Sequence, residues 1–208
     1  MVDNRRHTRL TAVALAIGCV VGVPAQAQPA HTDHTAHTGA LAAATANNEP
    51  VGNANMHGIN VNFELLDRDG NVVTAENFLG RYVLLGFGFT RCAHICPMMA
   101  LNMGKALSLT DLDAAGIFVS VDTERDSPAV ADDYASKFGD RMIGLGGSYE
   151  QVSAAAANFK VSFAVTKTQD NYTVQHTANV YVIDPAGELA DVLTFTAAPE
   201  TFLGAMQQ

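Results

Sequence analysis

The chain has 208 residues and an apolar fraction of 48%, which suits one folded domain with a real core and a leader segment. Its formal net charge is −9, and removal of the first 27 residues, with three arginines and one aspartate, changes this to −11. Because nucleic-acid affinity rests on cationic contacts to phosphate, this acidity disfavours a nucleic-acid-binding protein. It is compatible with metal ions or a cationic protein partner.

The N-terminus has the pattern of an export signal, predicted over residues 1–27. Three arginines precede an apolar run over residues 10–23, and Ala25-Gln26-Ala27 follows as a small-x-small cleavage site. The run is shorter than the ~20 residues that span a bilayer. Cleavage after Ala27 is favoured over lipidation at Cys19 and over an uncleaved membrane anchor. All three routes predict a location in the periplasm or cell envelope, where disulfides persist.

Residues 28–55 are rich in His, Ala and Thr and poor in large apolar groups. Such a segment cannot bury enough surface to fold, so we expect a flexible tether. His31, His34 and His37 recur there at every third position, which is compatible with a metal-scavenging tract or with a solvated linker. The folded domain is predicted to occupy residues 56–208.

The first part of the folded domain predicts a β-hairpin. Residues 61–66 and 71–74 have strand-like patterns, and Asp69-Gly70 between them is typical of a turn. Three continuous apolar runs follow, over residues 82–89, 117–121 and 179–183. Such runs indicate strands that are buried on both faces of a sheet. A turn after residue 183 leads to a further strand at 189–195.

Three helices are expected between the strands. The first begins near Cys96, with a proline in its opening turn. The second runs from Ser127, as N-cap, to Gly139. The third begins at Ser148, with Gln151 in a capping-box pattern. The predicted buried positions of the second helix are Val130, Tyr134 and Phe138.

This order of elements predicts an α/β, thioredoxin-like fold, with a mixed central sheet flanked by helices and an N-terminal β-hairpin. The predicted strand 82–89 leads directly into the segment with both remaining cysteines, Cys92 and Cys96. Ligands favour this position, beyond the carboxyl end of a central strand. The cysteine pair is therefore the main candidate for function.

Cys92 is expected on a loop and Cys96 in the first turn of a helix, where amide donors and the helix dipole favour thiolate. Thiolates attack disulfides, and they bind Cu(I). Three residues separate the cysteines, whereas thioredoxin-type redox pairs usually have two between them. From spacing alone, a structural or redox disulfide and a metal site both stay open. Zinc is disfavoured because structural zinc usually takes four protein ligands.

Several residues near the cysteine pair are expected to have structural roles only. His94 is expected to be exposed and to point away, and Met98 and Met99 are expected to pack in the core. For Asp122, the sequence indicates no particular role. Glu124 and Asp126 are interpreted as part of a salt-bridged loop that caps the following helix. Tyr172 is interpreted as packing.

Three segments resemble the Sco/SenC family in kind and order: GFGFTRCAHICP, VSVDTERDSPAVADDYASKFG and YTVQHTANVYVIDPAGEL. The resemblance extends over residues 57–197. It implies a thioredoxin-like fold, export or membrane attachment, and a role in building the copper centre of cytochrome c oxidase. It also implies a copper ion, as Cu(I) or Cu(II), with Cys92, Cys96 and His176 as its ligands. Without the resemblance, His176 would be interpreted as a hydrogen-bonded loop residue.

The chain departs from the family pattern at two places. Ala93-His94 stands where the family loop commonly has Pro-Asp, and Gln175 stands where the residue before the histidine is commonly acidic. These changes leave the ligand positions in place, and they affect the expected affinity, redox potential and partner surface.

The leading hypothesis is a metallochaperone that delivers copper to a subunit of cytochrome c oxidase, or prepares the cysteines of that subunit. The alternative is a thiol–disulfide oxidoreductase of the cell envelope with Cys92 and Cys96 as its redox pair. Either function also needs a periplasmic thiol reductant or another copper carrier.

Overall fold

The computed structural model describes residues 58–208, and the predicted signal, the tether and Cys19 lie outside the described residues. The strands are β1 (Glu64–Leu66), β2 (Val72–Thr74), β3 (Tyr82–Gly88), β4 (Ala114–Ser120), β5 (Met142–Leu145), β6 (Phe163–Lys167), β7 (Tyr172–His176), β8 (Asn179–Ile183) and β9 (Leu189–Thr194). The α-helices are α1 (Ile95–Ser108), α2 (Pro128–Ala135), α3 (Tyr149–Asn158) and α4 (Pro199–Ala205). Over residues 58–208, no helix is long and apolar enough to cross a membrane.

The central sheet has five strands in the order β5-β4-β3-β8-β9. Strands β3, β4 and β5 are parallel to one another, whereas β8 is antiparallel to β3 and to β9. The pairs β1-β2 and β6-β7 form separate antiparallel two-stranded sheets. The predicted mixed central sheet and N-terminal hairpin are therefore confirmed.

Apolar side chains cover both faces of the sheet, as the continuous apolar runs predicted. On β3, Val83, Leu85 and Phe87 lie in one core cluster and Leu84 lies in the other. The first cluster includes side chains of α3 and β1, and the second includes side chains of α1, α2 and α4. This two-sided burial fixes β3, and with it the loop that carries the cysteines.

Two of the predicted helix starts are confirmed in detail. The Ser127 side chain accepts a hydrogen bond from the N–H of Val130 at the start of α2. Ser148 and Gln151 form the reciprocal bonds of a capping box at the start of α3. After α2 the chain continues as a short 3-10 helix to Phe138, and Gly139 ends it with a φ of 148°.

The predicted buried stripe of α2 is wrong at Val130, which is 41% exposed. The face of α2 that meets the sheet carries Ala131 and Ala135 instead. The reason is a close backbone approach, because a Cβ added at Gly144 of β5 would lie 2.1 Å from the carbonyl carbon of Ala131. Only small residues fit between two backbones at this distance.

Helix α1 begins at Ile95 and buries Met99, Met103 and Leu107 against the sheet. The expectation that Met98 packs in the core is wrong, since Met98 is 41% exposed. Met98 precedes Met99 by one position, and residues one apart on a helix do not share a face. The exposed side chain therefore lies on the solvent side of the first turns.

Gly104 lies in α1 where this helix meets the 3-10 helix. A Cβ added there would lie 1.9 Å from the carbonyl oxygen of Phe138, which is backbone and unable to rotate away. We expect Gly104→Ala to lower the free energy of unfolding by ~1–3 kcal/mol, the range typical of overpacking. Urea denaturation of the soluble domain measures this change.

Gly204 in α4 supplies the matched control, because a Cβ there meets nothing within 4 Å. Replacing it with alanine should raise stability by ~0.4–1 kcal/mol, since alanine reduces the entropy of the unfolded chain. Equal effects of Gly104→Ala and Gly204→Ala would contradict the packing described here.

Candidate metal centre

The cysteine loop connects the end of β3 at Gly88 to the start of α1 at Ile95. The backbone N–H of Cys96, in the first turn of α1, donates to the Cys92 sulfur over 3.4 Å. The Cys92 sulfur therefore lies at the N-terminus of a 14-residue helix, where the first amide donors have no partner within the helix. This position stabilises a negative charge on sulfur.

The two thiols have different environments. Both cysteines are free, with Cys92 half-buried and Cys96 buried. Partial burial raises the pKa of the Cys92 thiol, but hydrogen bonds from the backbone of Cys96 and from the two preceding residues outweigh this, so its pKa lies below the ordinary value. Burial raises the pKa of Cys96 far above the ordinary value. Cys92 is thus the more readily ionised and more accessible sulfur.

Cys96 approaches the backbone of β3 closely. A Cβ added at Gly88 would lie 3.0 Å from the Cys96 sulfur and 2.6 Å from the ring of Phe118. A side chain at this position of β3 would push the sulfur out of its place. The glycine that ends the strand is therefore a requirement of the site.

His176 is the last residue of β7, and its ring reaches the cysteine loop. The Nε2 atom lies 3.4 Å from the Cys96 sulfur, and Nδ1 lies 2.9 Å from the carbonyl oxygen of Thr177. A carbonyl oxygen only accepts, so Nδ1 carries the proton and donates it, and the Nε2 lone pair of the neutral ring faces the sulfur. The Phe89 ring meets the imidazole edge-on, with centroids 5.8 Å apart.

Burial lowers the pKa of His176 below its ordinary value, although the hydrogen bond to Thr177 acts in the opposite direction. The imidazole is consequently neutral at pH 7, which is the form that binds metal ions. The bond to Thr177 also fixes the ring, as bonds from the second ring nitrogen do for metal-binding histidines in general.

The separation between Cys96 Sγ and His176 Nε2 suits a shared ion. An ion about 2.3 Å from sulfur and about 2.0 Å from nitrogen, as for zinc, holds those atoms roughly 3.4–3.7 Å apart at ordinary bond angles. The observed 3.4 Å falls at the lower end of that range. Among residues 58–208, however, no three His, Cys, Asp or Glu side chains already form a cage around a single point. The structure brings the Cys96 sulfur and the imidazole together, and the Cys92 sulfur lies at the backbone N–H of Cys96.

Other residues near the candidate ligands lie partly where the sequence predicts and partly elsewhere. His94 is exposed and precedes α1 as its N-cap residue, in agreement with the prediction, and no side-chain capping bond is formed there. Gln175 is also exposed, on β7. Ser127 caps α2 as predicted, whereas Asp126 of the predicted salt-bridged loop forms no ion pair among the described residues, and its carboxylate accepts hydrogen bonds from Thr90 and Ser120.

Sequence reasoning missed the contact between Asp122 and Tyr172. Asp122 is fully buried and accepts a hydrogen bond from the Tyr172 hydroxyl over 2.6 Å. Burial, together with this bond, raises the pKa of Tyr172 to about 12. One signal was present in the sequence: Asp122 follows β4 at the same edge of the sheet where the cysteine loop follows β3. No sequence pattern marked Tyr172 as its partner.

The fold and these side chains define a thioredoxin-like domain with two thiols and an imidazole beyond the carboxyl end of its central strand. The family profile described as SCO1/SenC matches residues 51–208, and the chain belongs to the SCO1/SenC family. The resemblance seen in the three sequence segments is thereby confirmed.

Known relatives agree with this assignment. The sco1 protein of Schizosaccharomyces pombe is 35% identical over 139 residues, which cover 62% of this chain and 52% of that protein. The chain thus spans about half the length of this curated relative. The structure of Arabidopsis thaliana ScoI with copper bound has a TM-score of 0.63 and 30% identity, and the match covers 70% of this chain and 94% of that chain.

A third comparison concerns the thiols. BsSco is described as a member of the Sco family of cytochrome c oxidase assembly proteins in which a disulfide switch was identified. Its structure has a TM-score of 0.53 and 26% identity to this chain, with 69% of this chain and 88% of that chain covered.

The asymmetry of the two thiols leads to a testable expectation. In native, reduced protein, iodoacetamide should alkylate Cys92 at least about 10-fold faster than Cys96, because the attacking species is an accessible thiolate. The Cys92 rate should rise with pH and reach half of its plateau at a lower pH than the rate of an ordinary thiol, because its pKa is lowered. Mass spectrometry of each cysteine peptide measures both rates.

Denatured protein is the control for this experiment, since both thiols are then equally accessible and should react alike. Comparable rates for Cys92 and Cys96 in the native protein would contradict the described burial.

Proposed function

We propose that this chain is an exported copper-binding protein that delivers copper to, or prepares the cysteines of, the copper centre of cytochrome c oxidase. The observation that carries the proposal is the 3.4 Å separation between Cys96 Sγ and His176 Nε2, two atoms on segments 80 residues apart. In support, a Sco structure similar to this one was obtained with copper bound.

The ligands of the copper cargo are Cys92, Cys96 and His176. Two thiolates suit Cu(I), which prefers soft donors, and the imidazole adds the harder nitrogen that suits Cu(II). Binding displaces the proton of the Cys96 thiol, whose pKa is raised by burial, and copper affinity therefore rises with pH. Because His176 is already neutral, the imidazole requires no such proton release at pH 7.

Copper transfer proceeds by ligand exchange at the accessible side of the site. Cys96 is buried, whereas Cys92 is half-exposed on the loop that precedes α1. A thiolate or imidazole of the receiving protein first enters the coordination sphere, and Cys92 then leaves with its electron pair. Copper keeps its oxidation state in this exchange, and protons from solvent return to the released thiols.

The receiving partner is the copper-binding subunit of cytochrome c oxidase. A periplasmic thiol reductant keeps Cys92 and Cys96 reduced, and another copper carrier supplies the ion. The protein acts in the periplasm or cell envelope, released or attached to the membrane through its N-terminus, with residues 1–27 as export signal, 28–55 as tether and 56–208 as the copper-binding domain. The charge of −11 left after signal removal favours a cationic surface on its partners.

The second candidate function is thiol–disulfide exchange, and the unequal thiols favour it. The Cys92 thiolate attacks a substrate disulfide, which forms a mixed disulfide and releases one substrate sulfur as thiolate. Cys96 then gives its proton to the released substrate thiolate and attacks the Cys92 sulfur, which releases the second substrate sulfur as thiolate. The substrate gains two electrons, Cys92 and Cys96 become a disulfide, and the thiol reductant resets the pair.

Copper titration separates these functions. We expect the reduced soluble domain to bind one equivalent of Cu(I) and one of Cu(II), with thiolate-to-Cu(II) charge-transfer absorption that Cys92→Ser abolishes. His176→Ala should weaken Cu(II) binding by more than about 100-fold, since even changes outside the ligand sphere weaken metal binding about 10–100-fold. The same variant should retain Cu(I) binding and thiol exchange.

The matched control is His94→Ala, which removes an exposed imidazole two residues from Cys96. It should leave Cu(II) binding unchanged. Absence of stoichiometric copper binding in the wild type, with intact disulfide reduction, would overturn copper delivery in favour of the thiol exchanger. Equal loss of Cu(II) binding in both histidine variants would overturn the assignment of His176.

A further inference from the structure

Residues 122–126, termed here the bridging loop, contact both segments that carry the proposed ligands. On the cysteine side, the Asp126 carboxylate accepts hydrogen bonds from Thr90 N over 2.8 Å and from Thr90 Oγ1 over 2.7 Å. It also accepts one from Ser120 Oγ over 2.7 Å. Asp126 is 2% exposed, so these bonds satisfy a buried charge. Thr90 precedes Cys92 by two residues, and Asp126 thereby holds the start of the cysteine loop.

On the histidine side, the bridging loop binds β7 through Asp122. The Asp122 carboxylate accepts hydrogen bonds from Tyr172 Oη and from Arg125 Nε, each over 2.6 Å. The Arg125 guanidinium carbon lies 3.6 Å from the centroid of the Tyr172 ring, and the ring is thus held by a cation–π contact as well. The salt bridge between Glu124 and Lys167 of β6 is exposed, so screening by solvent makes its contribution to stability small.

The bridging loop is internally fixed. The backbone N–H groups of Arg125 and Asp126 both donate to the carbonyl oxygen of Asp122, over 3.1 Å and 2.9 Å. The two carboxylates therefore belong to one short, hydrogen-bonded turn directly after β4. A displacement of this turn would move the contacts to both ligand-bearing segments together.

The hairpin β6-β7 depends on such contacts more than the other strands near the site do. It forms a separate two-stranded sheet and makes no ladder with the central sheet. An isolated two-stranded hairpin is only marginally stable in water. Its position therefore comes from the two-residue connection to β8 and from side chains, of which Phe163 and Val174 pack on the core and Tyr172 binds the buried Asp122.

Tyr172 and His176 lie on the same face of β7, because side chains alternate along a strand and the two residues are four apart. We propose that Tyr172 and Asp122 are positioning residues, which hold the His176 imidazole at bonding distance from the cysteine loop and thereby determine the affinity of the site for Cu(II) relative to Cu(I). This inference rests on the proposed copper function. Its physical basis is that two thiolates on α1 and its loop suffice for Cu(I), whereas the imidazole on the hairpin is needed for Cu(II).

The test uses Tyr172→Phe, which removes one hydroxyl and keeps the ring under Arg125. In the reduced, copper-free domain, amide hydrogen exchange in β6 and β7 should become about 10-fold faster, because the hydroxyl bonds to a buried charge. Exchange in β3 and β8 should stay unchanged. With copper added, Cu(II) affinity should fall about 10-fold, as is usual for residues that orient a ligand. Cu(I) affinity should stay within about 2-fold of the wild type.

Tyr149→Phe is the matched control. Tyr149 is 61% exposed and lies against Phe163 of the same hairpin, with ring centroids 5.9 Å apart. The Tyr149 hydroxyl takes no part in the contacts that Asp122 makes to Tyr172 and Arg125. This variant should resemble the wild type in both hydrogen exchange and copper affinity.

Three results would overturn the proposal: unchanged Cu(II) affinity in Tyr172→Phe, an equal loss of Cu(I) and Cu(II) affinity, or equal effects of Tyr172→Phe and Tyr149→Phe. The equal loss of Cu(I) and Cu(II) affinity would show a merely structural role.

If the wild type binds no copper, the proposed function fails. Hydrogen exchange in the copper-free domain then still decides whether Tyr172 holds the hairpin, so the two failures are distinguishable.

Discussion

The contact between the Cys96 sulfur and His176 Nε2 is the constraint on which the rest of the site depends. It joins a helix that is anchored in the main core to a hairpin that is outside the central sheet. The two-sided burial of β3 fixes the cysteine loop, and Gly88 leaves room for the sulfur. The imidazole is tied to the central sheet by the two-residue connection from β7 to β8, where the Ala178 carbonyl oxygen accepts a backbone hydrogen bond from Phe195. Side-chain contacts and the bond between His176 Nδ1 and the Thr177 carbonyl oxygen then fix the orientation of the ring.

The same arrangement explains why the two thiols differ. The Cys92 sulfur accepts amide donors at the start of α1, whereas Cys96 turns inward toward Phe118 and the backbone of β3. A buried thiol with a raised pKa next to an accessible thiol with a lowered pKa suits both ligand exchange and disulfide exchange. The thiols alone therefore do not choose between copper delivery and redox chemistry. The imidazole at 3.4 Å from the inner sulfur adds the nitrogen donor that suits Cu(II), and in disulfide exchange the same nitrogen would act as a base toward the Cys96 thiol.

Sequence patterns predicted the parts of the fold that depend on local rules and continuous burial. The apolar runs gave β3, β4 and β8, and Ser127 and Ser148 marked two helix starts. The hairpin β6-β7 was missed, because its strands are only partly buried and lack a continuous apolar run. Val130 was placed wrongly because close approach of two backbones, which no periodicity reveals, selects alanine at the contact. The proximity of His176 to the cysteines was likewise expected only through the family resemblance, since residues 80 apart meet only through the tertiary fold.

A copper donor must hold its ion firmly enough to carry it and still release it on contact with a partner. Under the proposed function, the sulfurs belong to α1 and its loop and the imidazole belongs to a separate hairpin, so the imidazole would leave the ion independently of the sulfurs. A protein that touches the exposed side of β6-β7 would act on the imidazole without displacing either thiol. Under the proposed function, the position of the hairpin would set the number of donors around the ion, and with it the oxidation state that the site favours.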